Sequence, residues 1–256
     1  MLLAIDIGNS NISFGLYKEK KLLATFKLNT DHNKTEDEYA ISLITCLQLV
    51  DLDYHEINGV IVSSVVLAIN PVFEKLSKKY FKLKPTFVGP NLKSGIKIKI
   101  DQPKSLGPDI LVGIVAAYEK YGVNCLVIDL GTATTMSILN SNKEFIGGVI
   151  CPGVKTSADS LSTTTSALPL LDLDIPSKVI GKDTNSCMQS GIMYGYASML
   201  DGMINKMEIE YGAKLQVILT GGLAKIIAKM LCSDVILNQD LILDGLHHLF
   251  YKNNIK

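Results

Sequence analysis

The chain contains no arginine: all 25 of its basic residues are lysine. A guanidinium fork is therefore excluded. Any anion must be held by lysine, backbone N–H groups, hydroxyls, helix N-termini or a metal ion. Charge imbalance is missing as well. The 25 acidic residues cancel the 25 basic ones, so no electrostatic footprint for nucleic acid or an anionic membrane exists. The five cysteines, Cys46, Cys125, Cys151, Cys187 and Cys232, are scattered and never form C-x-x-C. They read as buried, reduced thiols in preference to a metal or redox centre. His32, His55, His247 and His248 do not converge with cysteines or carboxylates at ligand spacing and read as surface or helix residues. No apolar run is long enough to span a membrane; the longest, around 60–69, is interrupted by Ser63 and Ser64. The first residues carry no cationic flank or cleavage pattern of a signal peptide, so the expectation is a cytoplasmic protein.

What is present is a chain of 256 residues, 47% hydrophobic and 20% charged, enough for one large globular domain or two of ordinary size. One phrase occurs twice. Near the start it reads Asp6-Ile7-Gly8-Asn9-Ser10-Asn11, and past the midpoint Asp129-Leu130-Gly131-Thr132-Ala133-Thr134-Thr135. Each copy follows an apolar run with the length of a buried strand, Leu2 to Ile5 and Cys125 to Ile128. Each places a carboxylate at the strand end, a glycine two residues on, and small hydroxyl or amide side chains behind. A strand followed by a capped tight turn would look like this. So would a polyphosphate site, in which glycine admits backbone N–H groups to phosphate oxygens and the Asp holds a hydrated Mg²⁺. Two copies in matching context favour the second.

The surrounding pattern repeats too. Strands at 11–17 and 22–28 complete a meander, followed by a helix over 36–50, a strand at 59–64, a helix from Pro71 to about Lys79 and a strand at 85–88. The second half shows strands at 126–129, 135–139 and 145–150. Helices follow near 154–161 and 187–211, then a strand at 215–220, a helix from Leu223 and a last helix over 243–251. Periodicity alone says α/β. In order and motif the plan resembles the duplicated ribonuclease-H-like halves of the sugar kinase, Hsp70 and actin superfamily. That resemblance implies halves at 1–120 and 121–256 with a nucleotide cleft between them.

Two further elements bear on chemistry. Thr220-Gly221-Gly222-Leu223 ends a strand in paired glycines before a helix, which lets backbone pass close to adenine or ribose. Gly107-Pro108-Asp109-Ile110 opens a helix with Asp109 in its first turn. That carboxylate is either an ordinary dipole complement, or the base that accepts or orients a substrate hydroxyl for attack on a γ-phosphate. In the second case the helix dipole is expected to keep it ionised.

With these residues in place the chain resembles the type III pantothenate kinases along its full length. The two D-x-G phrases are similar to that family's phosphate motifs, and Gly147 to Gly153 to its Gly-Gly-x-Ile-x-Pro-Gly turn. Gly181-Lys182-Asp183-Thr184 with Gln189-Ser190-Gly191, Thr220 to Ala224, and Asp240 to Leu246 match in order. The resemblance implies ATP-dependent phosphorylation of pantothenate to 4′-phosphopantothenate, the first step toward coenzyme A. It implies Asp6 as the Mg²⁺ anchor and Gly8, Asn9, Ser10 and Asn11 around the phosphates. Gly131, Thr132, Thr134, Gly221 and Gly222 follow on ATP, with Asp129 at a monovalent cation, K⁺ or NH₄⁺. Asp109 is the proton acceptor, Gly107, Pro108 and Thr184 line the pantothenate site, and the protein is a homodimer.

Two positions depart from the family's pattern. Ile110 stands where its Gly-x-Asp-Arg has arginine, and Ile100 where a Tyr-x-Asn-Pro stretch has tyrosine. Losing a charge-assisted contact from an enclosed site costs about 2–5 kcal/mol. A nearby lysine, Lys104, Lys155 or Lys182, is the candidate to compensate, though a point charge is not equivalent to the arginine. The departures leave two alternatives: a paralogue with altered or lost acceptor specificity, and a nucleotide-binding regulatory protein.

Overall fold

The computed structural model describes residues 1–164, 168–169 and 171–253. Strands β1 (Leu2–Ile7), β2 (Asn11–Lys18) and β3 (Lys21–Asn29) form an antiparallel meander, followed by α1 (Glu36–Gln48), β4 (Gly59–Ser64), α2 (Asn70–Leu76) and β5 (Thr86–Phe87). A short β6 (Lys97–Ile98) and α3 (Pro108–Tyr121) lead to a second meander, β7 (Cys125–Leu130), β8 (Ala133–Leu139) and β9 (Glu144–Pro152). After it come α4 (Val154–Thr164), α5 (Thr184–Tyr211), β10 (Gln216–Gly221), α6 (Ala224–Ile227), β11 (Ile236–Leu237) and α7 (Leu241–Lys252).

The chain divides into two compact units. One comprises Met1–Ile96, Asp101–Lys120 and the chain from Asp240; the other comprises Lys97–Ile100 and Tyr121–Gln239. A change of unit falls between Lys120 and Tyr121, and neither unit is contiguous in sequence. Helix α7, expected with the second half, lies across β1, β2 and β4 of the first. Its apolar side, including Leu243, Leu246, Leu249 and Phe250, is what the exposed face of that sheet needs as cover.

The sheets carry the duplication. Their strand orders are β3-β2-β1-β4-β5 and β11-β10-β7-β8-β9-β6. Reading the second from β9 back to β11 reproduces the first, with β6 added at its edge. In the first sheet Asp6 stands opposite Ser13 on β2 and Ser63 on β4. In the second, Asp129 stands opposite Thr135 on β8 and Thr220 on β10. Paired positions share a sheet face, so each carboxylate stands in a row between two hydroxyl residues.

One face of β1 supplies Leu3, Ile5 and Ile7 to a core closed by Tyr39, Leu43 and Leu47 of α1 and Phe73 and Leu76 of α2. Helix α1 starts where it does because Thr35 and Glu38 form a reciprocal capping box. On the opposite face α7 approaches α3 so closely that a Cβ at Gly245 would overlap the Val112 carbonyl. In the second unit Leu126, Ile128 and Leu130 pack with Met193, Tyr196 and Leu200 of α5. That helix begins three residues before the expected Cys187. Asp183 caps it, accepting from the Ser186 amide while Ser186 returns a bond to the cap.

Candidate active site

The first D-x-G phrase forms the turn between β1 and β2. Gly8 N–H donates to the Asn11 carbonyl at 3.0 Å, closing the turn and leaving Asn9, Ser10 and Asn11 exposed at its tip. Thr30, just past β3, fixes it from the side: its hydroxyl donates to the Gly8 carbonyl at 2.6 Å and its amide to the Ser10 carbonyl at 3.0 Å. Asp6 is half-buried at the strand end beneath this turn.

The second phrase turns between β7 and β8, and Gly131 and Thr132 are exposed at its tip. The Thr132 carbonyl accepts from the Gly153 amide at 3.0 Å and from the Thr156 hydroxyl at 2.7 Å, so the start of α4 holds the turn. Asp129 is half-buried and lies against Gly221 of the Gly-Gly element. Gly222 is exposed with open space around it. Thr134 differs from its neighbours. It is 0% exposed, and its hydroxyl is bonded at 2.5 Å to Tyr196 Oη, so it holds the turn from beneath and does not face solvent.

Asp109 is half-buried in the first turn of α3, with Gly107 and Pro108 beside it. Its Oδ1 accepts from the Ile110 amide at 2.8 Å. Burial raises its pKa above the ordinary carboxylate value; the bonds from the Ile110 amide and its own amide pull the other way and lose. The dipole argument from sequence is thus corrected in sign: desolvation is the larger effect here. A carboxylate of raised basicity at a helix start suits proton acceptance better than simple dipole complementation.

The residues expected on the acceptor side are divided between the units. Gly107, Pro108, Asp109 and Ile110 belong to the first unit, while Ile100 and Thr184 belong to the second. Thr184 is exposed at the first position of α5; Ile100 and Ile110 are half-buried. Lys104, Lys155 and Lys182 are exposed. One expectation about polar groups changes: Cys187 and Cys232 are exposed, not buried. His247 is a helix residue of α7, as expected, and is buried there.

Among the described residues no group of three His, Cys, Asp or Glu side chains could hold a metal. Mg²⁺ carried by a nucleotide takes one or two carboxylates and keeps phosphate and water as its other ligands. Asp6 in its hydroxyl row has that donor chemistry, and Asp129 in the matching row offers oxygen donors to a monovalent cation. Sequence reading missed Thr30, Thr156 and Tyr196, because none lies in a glycine-rich phrase. The hydroxyls at Ser63 and Thr220 were discoverable by aligning the two halves strand by strand.

A duplicated sheet with a carboxylate ending each central strand defines the actin-like ATPase and sugar kinase class. Solved structures agree. A Baf family protein from Campylobacter jejuni superposes with a TM-score of 0.60 at 22% identity, covering 98% of each chain. Component A of (R)-2-hydroxyglutaryl-CoA dehydratase from Acidaminococcus fermentans gives 0.54 at 13% identity, with 98% of this chain and 96% of that one covered. Residues 2–206 match the family profile of the type III pantothenate kinases. The type III pantothenate kinase of Bacillus cytotoxicus is 40% identical over 255 residues, 100% of this chain and 97% of the relative. That of Halalkalibacterium halodurans is 40% identical with 100% of each covered. The chain belongs to the type III pantothenate kinase family. It is a transferase that phosphorylates pantothenate in coenzyme A biosynthesis.

Proposed function

We propose that Asp109 is the proton acceptor of this kinase and that the two D-x-G turns hold ATP. The observation that carries the reading is the Asp109 carboxylate, fixed by the Ile110 amide at 2.8 Å and made more basic by burial. It takes or orients the proton of the pantothenate hydroxyl, which Gly107, Pro108 and Thr184 help place. Phosphoryl transfer needs chiefly positioning and charge neutralisation, so a fixed, modest base suffices. Backbone N–H groups and hydroxyls of Gly8 to Asn11, with Gly131 and Thr132, hold phosphate oxygens in a chain that has no arginine. Gly221 and Gly222 give adenine or ribose a flat, close surface. Asp6 holds Mg²⁺ and Asp129 a monovalent cation; bound there, they neutralise charge on the phosphate oxygens.

Purified protein with ATP, Mg²⁺, K⁺ and pantothenate should yield 4′-phosphopantothenate, and Asp109→Asn should lower kcat by about 10²–10⁴-fold. An unchanged kcat in Asp109→Asn would remove this reading. Omitting K⁺ tests the monovalent cation, and Asp129→Asn should abolish any K⁺ response.

The protein acts as a homodimer in this reading. Helix α5 exposes Cys187, Gly191, Gly195, Ser198 and Gly202 along one side, and Val179 and Ile180 beside it are 63% and 82% exposed. Small residues let a second helix approach closely. Sedimentation equilibrium should give twice the chain mass of 27.9 kDa, and a single-chain mass at micromolar protein would contradict it. The free, exposed thiols of Cys187 and Cys232 fit a reducing, cytoplasmic setting.

A further inference from the structure

Beneath the second phosphate turn, Tyr196 of α5 makes an arrangement that the roles above leave unexplained. Its phenol oxygen lies 2.5 Å from Thr134 Oγ1 and 2.9 Å from the Pro152 carbonyl. A carbonyl can only accept, and one phenol has one proton. Tyr196 therefore donates to Pro152, and its oxygen accepts from the Thr134 hydroxyl. Thr134 and Pro152 lie at one end of the β8–β9 ladder, where Ala133 pairs with Pro152 and Thr134 with Cys151. Each tied residue adjoins a working one. Thr134 lies two residues after Thr132, and Pro152 immediately precedes Gly153, whose amide holds the Thr132 carbonyl at 3.0 Å.

We propose that Tyr196 is a positioning residue for ATP: its relay from Thr134 to Pro152 fixes the Gly131–Thr132 turn in its phosphate-binding shape. Thr134 then serves the nucleotide through Tyr196 and not by touching it. Thr134 is 0% exposed, and Tyr196 itself is 8% exposed, so neither reaches a ligand directly. The clasp also explains how an exposed turn keeps one geometry. The ladder end is held by α5 below and by the Gly153 and Thr156 donors above.

The inference rests on Thr132 as a phosphate donor, so the experiment carries Thr132→Ala as a reference. KM for ATP, KM for pantothenate, kcat and thermal midpoint are measured for Tyr196→Phe, Thr134→Val and the double variant. Tyr196→Phe should raise KM for ATP about tenfold, the worth of a lost buried hydrogen bond, with kcat and the pantothenate KM within about threefold of wild type. Thr134→Val breaks the same relay from its other end without changing side-chain shape, and it carries the test if Tyr196→Phe does not fold. It should raise KM for ATP in the same direction, and the double variant should be no worse than Tyr196→Phe alone.

A Tyr196→Phe enzyme with a lowered midpoint but an ATP KM within twofold of wild type would make the phenol merely structural and overturn the proposal. Thr134→Val raising the ATP KM while Tyr196→Phe does not would put Thr134 on the nucleotide itself, which also overturns it. If Thr132→Ala leaves the ATP KM unchanged, the reading of Thr132 falls as well. If Thr132→Ala raises it and neither relay variant does, only the Tyr196 assignment falls.

Discussion

Gly221 closes directly on Asp129. A Cβ at residue 221 would stand 2.7 Å from the Asp129 Oδ1 and 2.6 Å from both the amide nitrogen and the carbonyl oxygen of Leu130. Its φ of +100° is one that a side chain resists as well. Two phrases far apart in sequence are thus a single piece of backbone packing around one carboxylate.

Gly221→Ala should therefore destabilise the protein by about 2–4 kcal/mol, combining a left-handed backbone with overlap against atoms that cannot rotate away. Gly222→Ala, with open space around it, should shift the denaturation midpoint by less than about 0.5 kcal/mol while weakening ATP binding. Urea titration followed by circular dichroism, with nucleotide titration alongside, separates the two. Equal losses of stability at both positions would contradict the packing argument.

Asp109 should show opposite effects on activity and stability. Burial raises its folded pKa, so at pH values above the unfolded carboxylate pKa the unfolded chain holds fewer protons at this group than the folded one does. The folded state loses stability as pH rises from the unfolded pKa to the folded one. At neutral pH Asp109→Asn should accordingly raise the thermal midpoint even as it removes turnover. The wild-type kcat/KM should fall on acidification at a pH above the ordinary carboxylate range, where the base becomes protonated. An acid limb at or below that range would contradict the burial effect.

How far the sequence carried this reading depends on which interactions are local. The strand at 59–64 and the helix start at Pro108 follow from apolar runs and proline, and the structure places both at those bounds. Both D-x-G turns were legible because strand, carboxylate and glycine are contiguous. Helix α7 crossing to the first unit was not: an amphipathic face states that it needs a cover, not which sheet supplies one. The Tyr196 relay was invisible for a similar reason, since it joins residues 44 and 62 positions apart that share no motif. Desolvation of Asp109 depends on what surrounds it in space, and position in a helix predicted the opposite sign.

His247 should make the first unit acid-sensitive. It is buried against Tyr17, ring centroids 4.5 Å apart, and its Nε2 lies 2.6 Å from the Glu19 carbonyl. Burial lowers its pKa; the Glu19 bond and nearby Asp244 oppose this, while His248 and Lys20 add to it. The unfolded chain takes up a proton at about pH 6.5 that the folded chain refuses until lower pH. Stability should therefore decline as pH falls below that value and level off beneath the folded pKa. His247→Gln, which keeps an amide donor for Glu19, should flatten the thermal midpoint between about pH 7 and 5. An unchanged pH slope in that variant would assign the acid sensitivity to another group.

Ile110 stands where the family resemblance leads to the expectation of an arginine, and its neighbour makes the consequence measurable. The Ile110 amide donates to Asp109, a backbone bond whose donor arginine or lysine at this position keeps. Ile110→Arg should restore a charge-assisted contact worth about 2–5 kcal/mol and lower the pantothenate KM by tenfold or more, with the ATP KM within about twofold. Ile110→Lys should recover less, because an ammonium lacks the planar fork. The new cation would also stand beside the Asp109 carboxylate and favour its charged form. The acid limb of kcat/KM should then move to lower pH in the arginine variant, against the direction in which burial pushes it. A lowered KM with an unmoved acid limb would mean that the guanidinium reaches substrate without approaching Asp109. An unchanged KM would mean that a lysine already supplies the missing charge, with Lys104→Ala, Lys155→Ala and Lys182→Ala the variants to identify it.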